Sequence, residues 1–248
     1  MDIIKSILKL FGIRKFMSIK YFGFIYGFMK FRRISSKSER FSIFWQDRYP
    51  CLNDKTESTG FDSHYVYHTA WAARILAKLK PENHIDISSS LYFISLVSAF
   101  IPIKFYDYRP ADLKLSNLFT GSADLLALPF EDKSVKSLSC MHVVEHIGLG
   151  RYGDALDPNG DLKAISELKR VLSQGGSLLL VVPVGKPKIM FNAHRIYSYA
   201  QIVDYFSKFE LKEFALISDE DYFIEHATKE QVDLQKYGCG CFWFIRSL

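Results

Sequence analysis

Between Gly121 and Val184 the chain reads GSADLLALPFEDKSVKSLSCMHVVEHIGLGRYGDALDPNGDLKAISELKRVLSQGGSLLLVVPV, and this stretch restricts the fold more than any other. Val135 to Met141 is a short apolar run that breaks abruptly into polar residues. A parallel strand reads this way where its carboxyl end opens on a crevice, so chemistry is expected just after Met141. Asp161 is placed to cap a helix running to Leu172, because Leu162, Ile165, Leu168 and Leu172 recur at three- and four-residue steps. Gly175 and Gly176 are expected to stop that helix. Ser177 to Val184 is continuous Leu and Val between turn signals, a strand buried on both faces.

The same alternation extends upstream. Tyr65 to Leu79 has helical periodicity and meets Pro81, His84–Ile87 reads as a short strand, Leu91–Phe100 as a helix and Lys104–Tyr108 as a second strand. Downstream, Tyr199–Phe209 is amphipathic, Lys212–Ile217 is strand-like and Cys241–Arg246 closes the chain as a strand. Strand and helix in this order imply right-handed crossovers, a mostly parallel sheet and helices on both faces.

Charge divides the chain unevenly. From Lys5 to Arg40 ten basic residues (Lys5, Lys9, Arg14, Lys15, Lys20, Lys30, Arg32, Arg33, Lys37, Arg40) face one acid, Glu39, so much of the net charge of +5 sits at the N-terminus. Phe11, Phe16, Tyr21, Phe22, Phe24, Tyr26, Phe28 and Phe31 are interleaved with them. An arm over residues 1–55, ahead of a folded domain over 56–248, is the expected organisation, with NDKTESTG at Asn53–Gly60 as linker. Such an arm suits peripheral contact with anionic lipid at the inner face of a membrane, or a partner protein; a helical extension packed on the domain is the alternative. Nucleic acid is not expected, since no binding module accompanies the charge. The uncharged run Tyr21–Met29 is far shorter than the roughly 20 residues that span a bilayer, and no span or leader is expected. Cys51, Cys140, Cys239 and Cys241 form neither a CxxC pair nor a disulfide framework, which favours a reducing, cytoplasmic setting.

IDISSS at Ile85–Ser90, FYDYRP at Phe105–Pro110, ADLLALPF at Ala123–Phe130, HVVEHI at His142–Ile147 and ELKRVLSQGGSLLLVVPV at Glu167–Val184 stand in the order of the class I S-adenosylmethionine-dependent methyltransferases, which the chain resembles from about Gly60 onward. HVVEHIGLGRYGD and FNAHRIY are similar, more narrowly, to an uncharacterised bacterial methyltransferase-like family, some of whose genes serve surface glycans. The resemblance implies a Rossmann-like fold with an antiparallel last strand, and S-adenosylmethionine as cofactor. It places Asp86 at the methionine end of that cofactor, with Ser88 and Ser90 in the turn beside it, Asp107 at the ribose hydroxyls, and Asp124 with Leu125 at the adenine. A carboxylate has acceptor capacity for two hydroxyls, which suits the ribose role. The turn reads Ser88-Ser89-Ser90 where the family has glycines, and Lys136 stands where many relatives have an acid.

Three motifs need weighing. Gly148-Leu149-Gly150-Arg151-Tyr152-Gly153 spells GxGxxG, but Pro158 and the polar run to Asp161 prevent the helix that a dinucleotide fingerprint requires. His142-Val143-Val144-Glu145-His146 spells HxxEH, an inverted zinc-protease signature, yet it follows a buried strand and soon meets Gly148 and Gly150, so at most one helical turn fits. No metal is expected. Placed at the carboxyl end of the fourth strand, His142, Glu145 and His146 are candidate catalytic groups, with His142 foremost as a base for an acceptor hydroxyl; a network that merely holds the loop is the alternative. Arg151, Tyr152 and Asp154 on the next loop, and His194 and Arg195 after the fifth strand, overhang the same crevice as candidate substrate contacts. The arginines could clamp a carboxylate or phosphate, or pair with Asp154 or Asp157. Methyl transfer to a small or glycan-type acceptor is the function these residues suggest; a non-catalytic methyltransferase-like scaffold and a zinc-dependent hydrolase are the rivals.

Overall fold

The computed structural model describes residues 19–35 and 40–247. The chain divides into two compact units, Met1–Gly60 and Phe61–Leu248. The first contains helix α1 (Ile19–Ser35), none of whose residues is buried. Phe28 meets the Trp45 ring edge-on at 5.0 Å, and Lys20 Nζ donates to Asn53 Oδ1 at 3.1 Å. Lys5, Lys9, Arg14, Lys15, Lys37, Phe11 and Phe16 of the basic aromatic arm lie outside the described residues. Among those described, no helix is long and apolar enough to cross a membrane.

The second unit holds an eight-stranded sheet covered on both faces and a separate two-stranded sheet. In chain order its elements are α2 (Ser63–Leu79), β1 (His84–Ile87), α3 (Leu91–Val97), β2 (Ile103–Asp107), β3 (Leu118–Ser122), β4 (Val135–Met141), α4 (Gly160–Val171), β5 (Leu172–Val184), β6 (Lys188–Met190), β7 (His194–Ile196), α5 (Tyr199–Tyr205), β8 (Phe209–Ile217), β9 (Phe223–Ile224), α6 (Lys229–Asp233) and β10 (Gly238–Arg246). The strand order is β3-β2-β1-β4-β5-β10-β8-β9. β1 to β5 are mutually parallel, and β10 runs antiparallel to both β5 and β8. This is the Rossmann-like arrangement with a reversed late strand that the sequence implies.

The apolar run of β5 divides its side chains between two cores. Leu178, Leu180, Val182 and Val184 pack with α4 and α5 on one face, Leu179 and Val181 with α2 and α3 on the other. β1 and β4 differ, since each alternates apolar with polar. Ile85 and Ile87 join Leu138 and Cys140 in the α4-side core, while the register sets Asp86 beside Ser139 on the opposite face.

Several boundaries depart from the sequence reading. α3 ends at Val97, before Phe100. α4 begins at Gly160 with Asn159 in the cap position, so Asp161 is no cap; its carboxylate instead accepts the Tyr197 hydroxyl at 2.9 Å and faces Arg195 Nε at 3.5 Å. Gly175 and Gly176 do not stop the helix, which has already ended at Val171. They lie inside β5 where the β4–β5 register slips, Gly175 at φ +68 and Gly176 so close to Ser173 that a Cβ would lie 2.8 Å from its carbonyl oxygen. These glycines serve a bulge and not a terminus.

Candidate functional site

The sheet's carboxyl edge is built by polar residues that the strands release as they end. Below it lies a buried relay: Ser137 Oγ is 2.7 Å from His84 Nδ1, His84 Nε2 is 2.8 Å from Ser139 Oγ, and Ser139 donates to Asp86 Oδ2. Asp86 Oδ1 then accepts the Ser89 N–H at 3.0 Å. Asp86 is wholly buried, and burial pushes its carboxyl up to about 6 while holding His84 down to about 3. Asp86 therefore faces the protein, where it fixes the serine turn from beneath. In that turn Ser88 takes the left-handed backbone, φ +56, and its N–H bonds the Tyr106 carbonyl at 2.8 Å. A serine thus adopts the conformation for which glycine is usually needed, at some cost in strain.

Above the turn is a cavity of about 450 Å³ lined by Asp62, His64, Tyr65, Ser88–Ser90, Met141, His142, Glu145, His146, Arg151, Tyr152, His194 and Tyr237. Of the residues singled out in the sequence, Ser88, Ser90, His142, Glu145, His146, Arg151, Tyr152 and His194 meet here. Asp107 and Asp124 lie outside its lining, at the end of β2 and just past β3, where each accepts a backbone N–H two residues on, from Arg109 at 2.7 Å and Leu126 at 2.8 Å. Leu125 is buried in the core.

His142 follows β4 in the left-handed region, φ +57, and its side chain is only 6% exposed. Both ring nitrogens are engaged: Nδ1 lies 2.9 Å from Glu145 Oε1, and Nε2 lies 3.3 Å from Cys239 Sγ. This leaves the residue expected foremost as base without a free lone pair toward the cavity. Burial holds His142 down to about 4 and pushes Glu145 up to about 7. Among the described residues, buried Glu145 Oε2 has no partner, nor has buried His68 Nε2.

His146 is better placed. Its Nδ1 is 2.5 Å from the Ala193 carbonyl, a distance at which the proton must sit on Nδ1, so Nε2 presents a lone pair. Nε2 stands 3.8 Å from Glu145 Oε1. Burial lowers the basicity of His64, His146 and His194 as well, so the imidazoles at this cavity are predominantly neutral at pH 7. Two guanidinium groups lie over the Tyr152 ring, Arg109 at 5.2 Å and Arg151 at 5.1 Å from its centroid.

Two proposed substrate contacts have internal partners instead. Asp154 accepts the N–H groups of Gly148, Gly150 and Tyr152, and so closes the glycine loop on itself. Gly148 there has φ +81, and a Cβ would collide with the Asp157 carbonyl oxygen at 2.1 Å. Arg195 is 5% exposed and donates to the carbonyls of Ile147, Asp157 and Pro158 while pairing with Asp161. It pins the loop from below and is no anion clamp.

Asp62, His64, Tyr65 and Tyr237 were not anticipated. Asp62 caps α2 by accepting the Tyr65 N–H at 3.1 Å, which sets the first turn of the helix over the strand ends. His64 then stacks on His142 at 5.7 Å and on Tyr237 at 5.2 Å. The spacing of His64 and His68, one helical turn apart beside Asp62, is the only local sign of this in the sequence.

Comparison with known proteins agrees with this architecture. A methyltransferase domain family matches residues 72–180, and a family described as Caenorhabditis protein of unknown function matches residues 131–237. No curated protein sequence matches the chain. Among solved structures, the [4+2]-cyclase SpnF shares 13% identity at a TM-score of 0.53, covering 77% of this chain and 86% of its own. A proposed sarcosine dimethylglycine methyltransferase from Galdieria sulphuraria shares 13% at 0.52, covering 73% and 86%. The Burkholderia thailandensis 1,6-didemethyltoxoflavin-N1-methyltransferase, solved with bound 1,6-didemethyltoxoflavin and S-adenosylhomocysteine, shares 6% at 0.50, covering 73% and 79%. The chain thus has the fold of these solved structures and is similar, over residues 72–180, to a methyltransferase domain family.

Proposed function

We propose that this protein transfers a methyl group from S-adenosylmethionine to a small polar acceptor, of which a sugar or glycan precursor is one class. The observation that carries this is the cavity that joins the left-handed Ser88 turn to a wall of neutral histidines at the carboxyl edge of the sheet. The residues fit the cofactor: Ser88 supplies the turn, and Asp107 uses one oxygen on Arg109 N–H, which leaves the other for ribose hydroxyls. When bound, the cofactor supplies a methyl group already activated on a sulfonium, so the protein chiefly aligns the acceptor and removes its proton. His146 Nε2 takes that proton, with the tautomer fixed by Ala193 and the nascent positive charge balanced by Glu145. Arg151 and Tyr152 orient the acceptor.

Fold alone does not fix the reaction, as the cyclase with this architecture illustrates. Calorimetric titration with S-adenosylmethionine and its demethylated product decides the matter. Asp107→Ala should weaken binding by about ten- to a hundredfold. His146→Ala should bind within a few-fold of the parent and lose turnover. A parent that binds neither compound refutes the proposal.

A further inference from the structure

We propose that His64, His142 and Cys239 form a binding site for a borderline-soft divalent cation such as zinc. The three residues come from the first turn of α2, the residue after β4 and the second residue of β10, and one donor atom from each lies within 4.8 Å of the others. The His142 Nε2 to Cys239 Sγ separation is 3.3 Å. Tetrahedral zinc, with a Zn–S bond of about 2.3 Å and a Zn–N bond of about 2.0–2.1 Å, sets an S···N edge of about 3.5 Å, so this edge is already formed. Rotation and inward movement of the His64 ring, which is only half-buried and now stacks on His142, would close the other two edges.

The surroundings are those of a metal-ligating histidine. Glu145 Oε1 at His142 Nδ1 holds the tautomer that turns the Nε2 lone pair toward Cys239, the carboxylate–histidine support that orients and strengthens such ligands. Its other oxygen, Oε2, is buried and has no partner among the described residues. A dication bound by one thiolate, with the Glu145 carboxylate behind it, would leave the group electrically neutral, which removes most of the penalty for burying charge. Mixed sulfur and imidazole donors select zinc, cobalt, nickel or copper over magnesium and calcium. Three protein ligands leave a further coordination position, and His64 and His142 both line the cavity. The site lies on the histidine wall and not at the serine turn, so it stands whether or not the cavity takes S-adenosylmethionine, and its test needs no methyl acceptor.

The experiment is cobalt titration of the chelator-treated, full-length protein under reducing conditions, followed by absorbance, with elemental analysis of protein as purified. One equivalent of cobalt should produce a near-ultraviolet thiolate-to-cobalt band together with intense visible ligand-field bands. Cys239→Ser should lose the near-ultraviolet band. His64→Gln, which keeps the thiol and alters a residue outside the core, should weaken binding by at least tenfold, and Glu145→Gln by about 10–100-fold. Circular dichroism and urea midpoints establish that each variant is folded. The proposal is overturned if the folded parent gives no thiolate band, if the band survives Cys239→Ser, or if folded His64→Gln binds cobalt as tightly as the parent.

Discussion

Ser139→Ala cuts the relay beneath the serine turn at its middle. Ser139 Oγ lies between His84 Nε2 and Asp86 Oδ2, and all three residues are wholly buried. Alanine leaves a buried imidazole N–H and one oxygen of a buried carboxyl without partners, although Ser137 still holds the other side of His84 and Ser89 N–H the other oxygen of Asp86. Each of the two orphaned groups costs about 1–3 kcal/mol, so the domain should lose about 2–6 kcal/mol of a total near 5–15 kcal/mol. With a urea m-value of about 2 kcal/mol/M, the midpoint should fall by about 1–3 M. The loss should also depend on pH. The Ser139 hydroxyl stabilises the ionised form of Asp86, which burial already pushes up to about 6, so its removal raises that carboxyl further. At pH 8 the variant must hold a less satisfied carboxylate or take up a proton. At pH 5.5 Asp86 is mostly protonated in both proteins, and the difference should shrink. Equilibrium urea unfolding at both pH values measures this, with exposed Ser166→Ala as a control expected near zero. A midpoint shift below 0.3 M at pH 8, or one no smaller at pH 5.5, would refute the account of the relay.

Arg195→Ala should cost about 3–5 kcal/mol, because it strands the buried Asp161 carboxylate and frees three loop carbonyls; a thermal midpoint within 2 °C of the parent would contradict this. Stability should also fall in acid. His68 and His84 are held down to about 3 and His142 to about 4, so their contribution is fully present above about pH 6.5 and is lost as the pH drops toward those values. Asp86 and Glu145, raised to about 6 and about 7, oppose this, since their contribution is lost as the pH rises through those values. The histidines outnumber them, so urea unfolding near pH 5 should show about 1–2 kcal/mol lost per unit of pH decrease, and a flat profile would count against neutral buried histidines. The α1 arm, with Phe22, Tyr26 and Phe31 exposed beside Lys30 and Arg32, should sediment with anionic vesicles and release with salt, whereas equal sedimentation with neutral vesicles would remove the lipid reading.

What the sequence discloses about this molecule depends on how far away the deciding partner lies. β5 is legible because its pattern is continuous Leu and Val, and both cores it feeds demand only apolar side chains. β3 escapes because Leu118–Ser122 is an edge strand with no buried residue and no strong alternation. Gly175 and Gly176 mislead because a glycine pair ends a helix or makes a bulge with equal ease, and the choice is made by the β4 register. The site divides in the same way. His142, Glu145 and His146 lie within five consecutive residues, so their meeting is local and visible. Which of them works is not. His142 is pinned by Cys239, 97 residues away, and His146 is oriented by Ala193, 47 residues away. Arg195 looks like a clamp until the carbonyls it holds, 37 to 48 residues upstream, are folded around it. In each case the sequence places polar chemistry at a strand end, and a partner from a distant element decides whether that chemistry faces the ligand or the protein. The histidine wall is the sharpest instance, since the contact with Cys239 that withdraws His142 from base catalysis is the one that would make it a metal ligand.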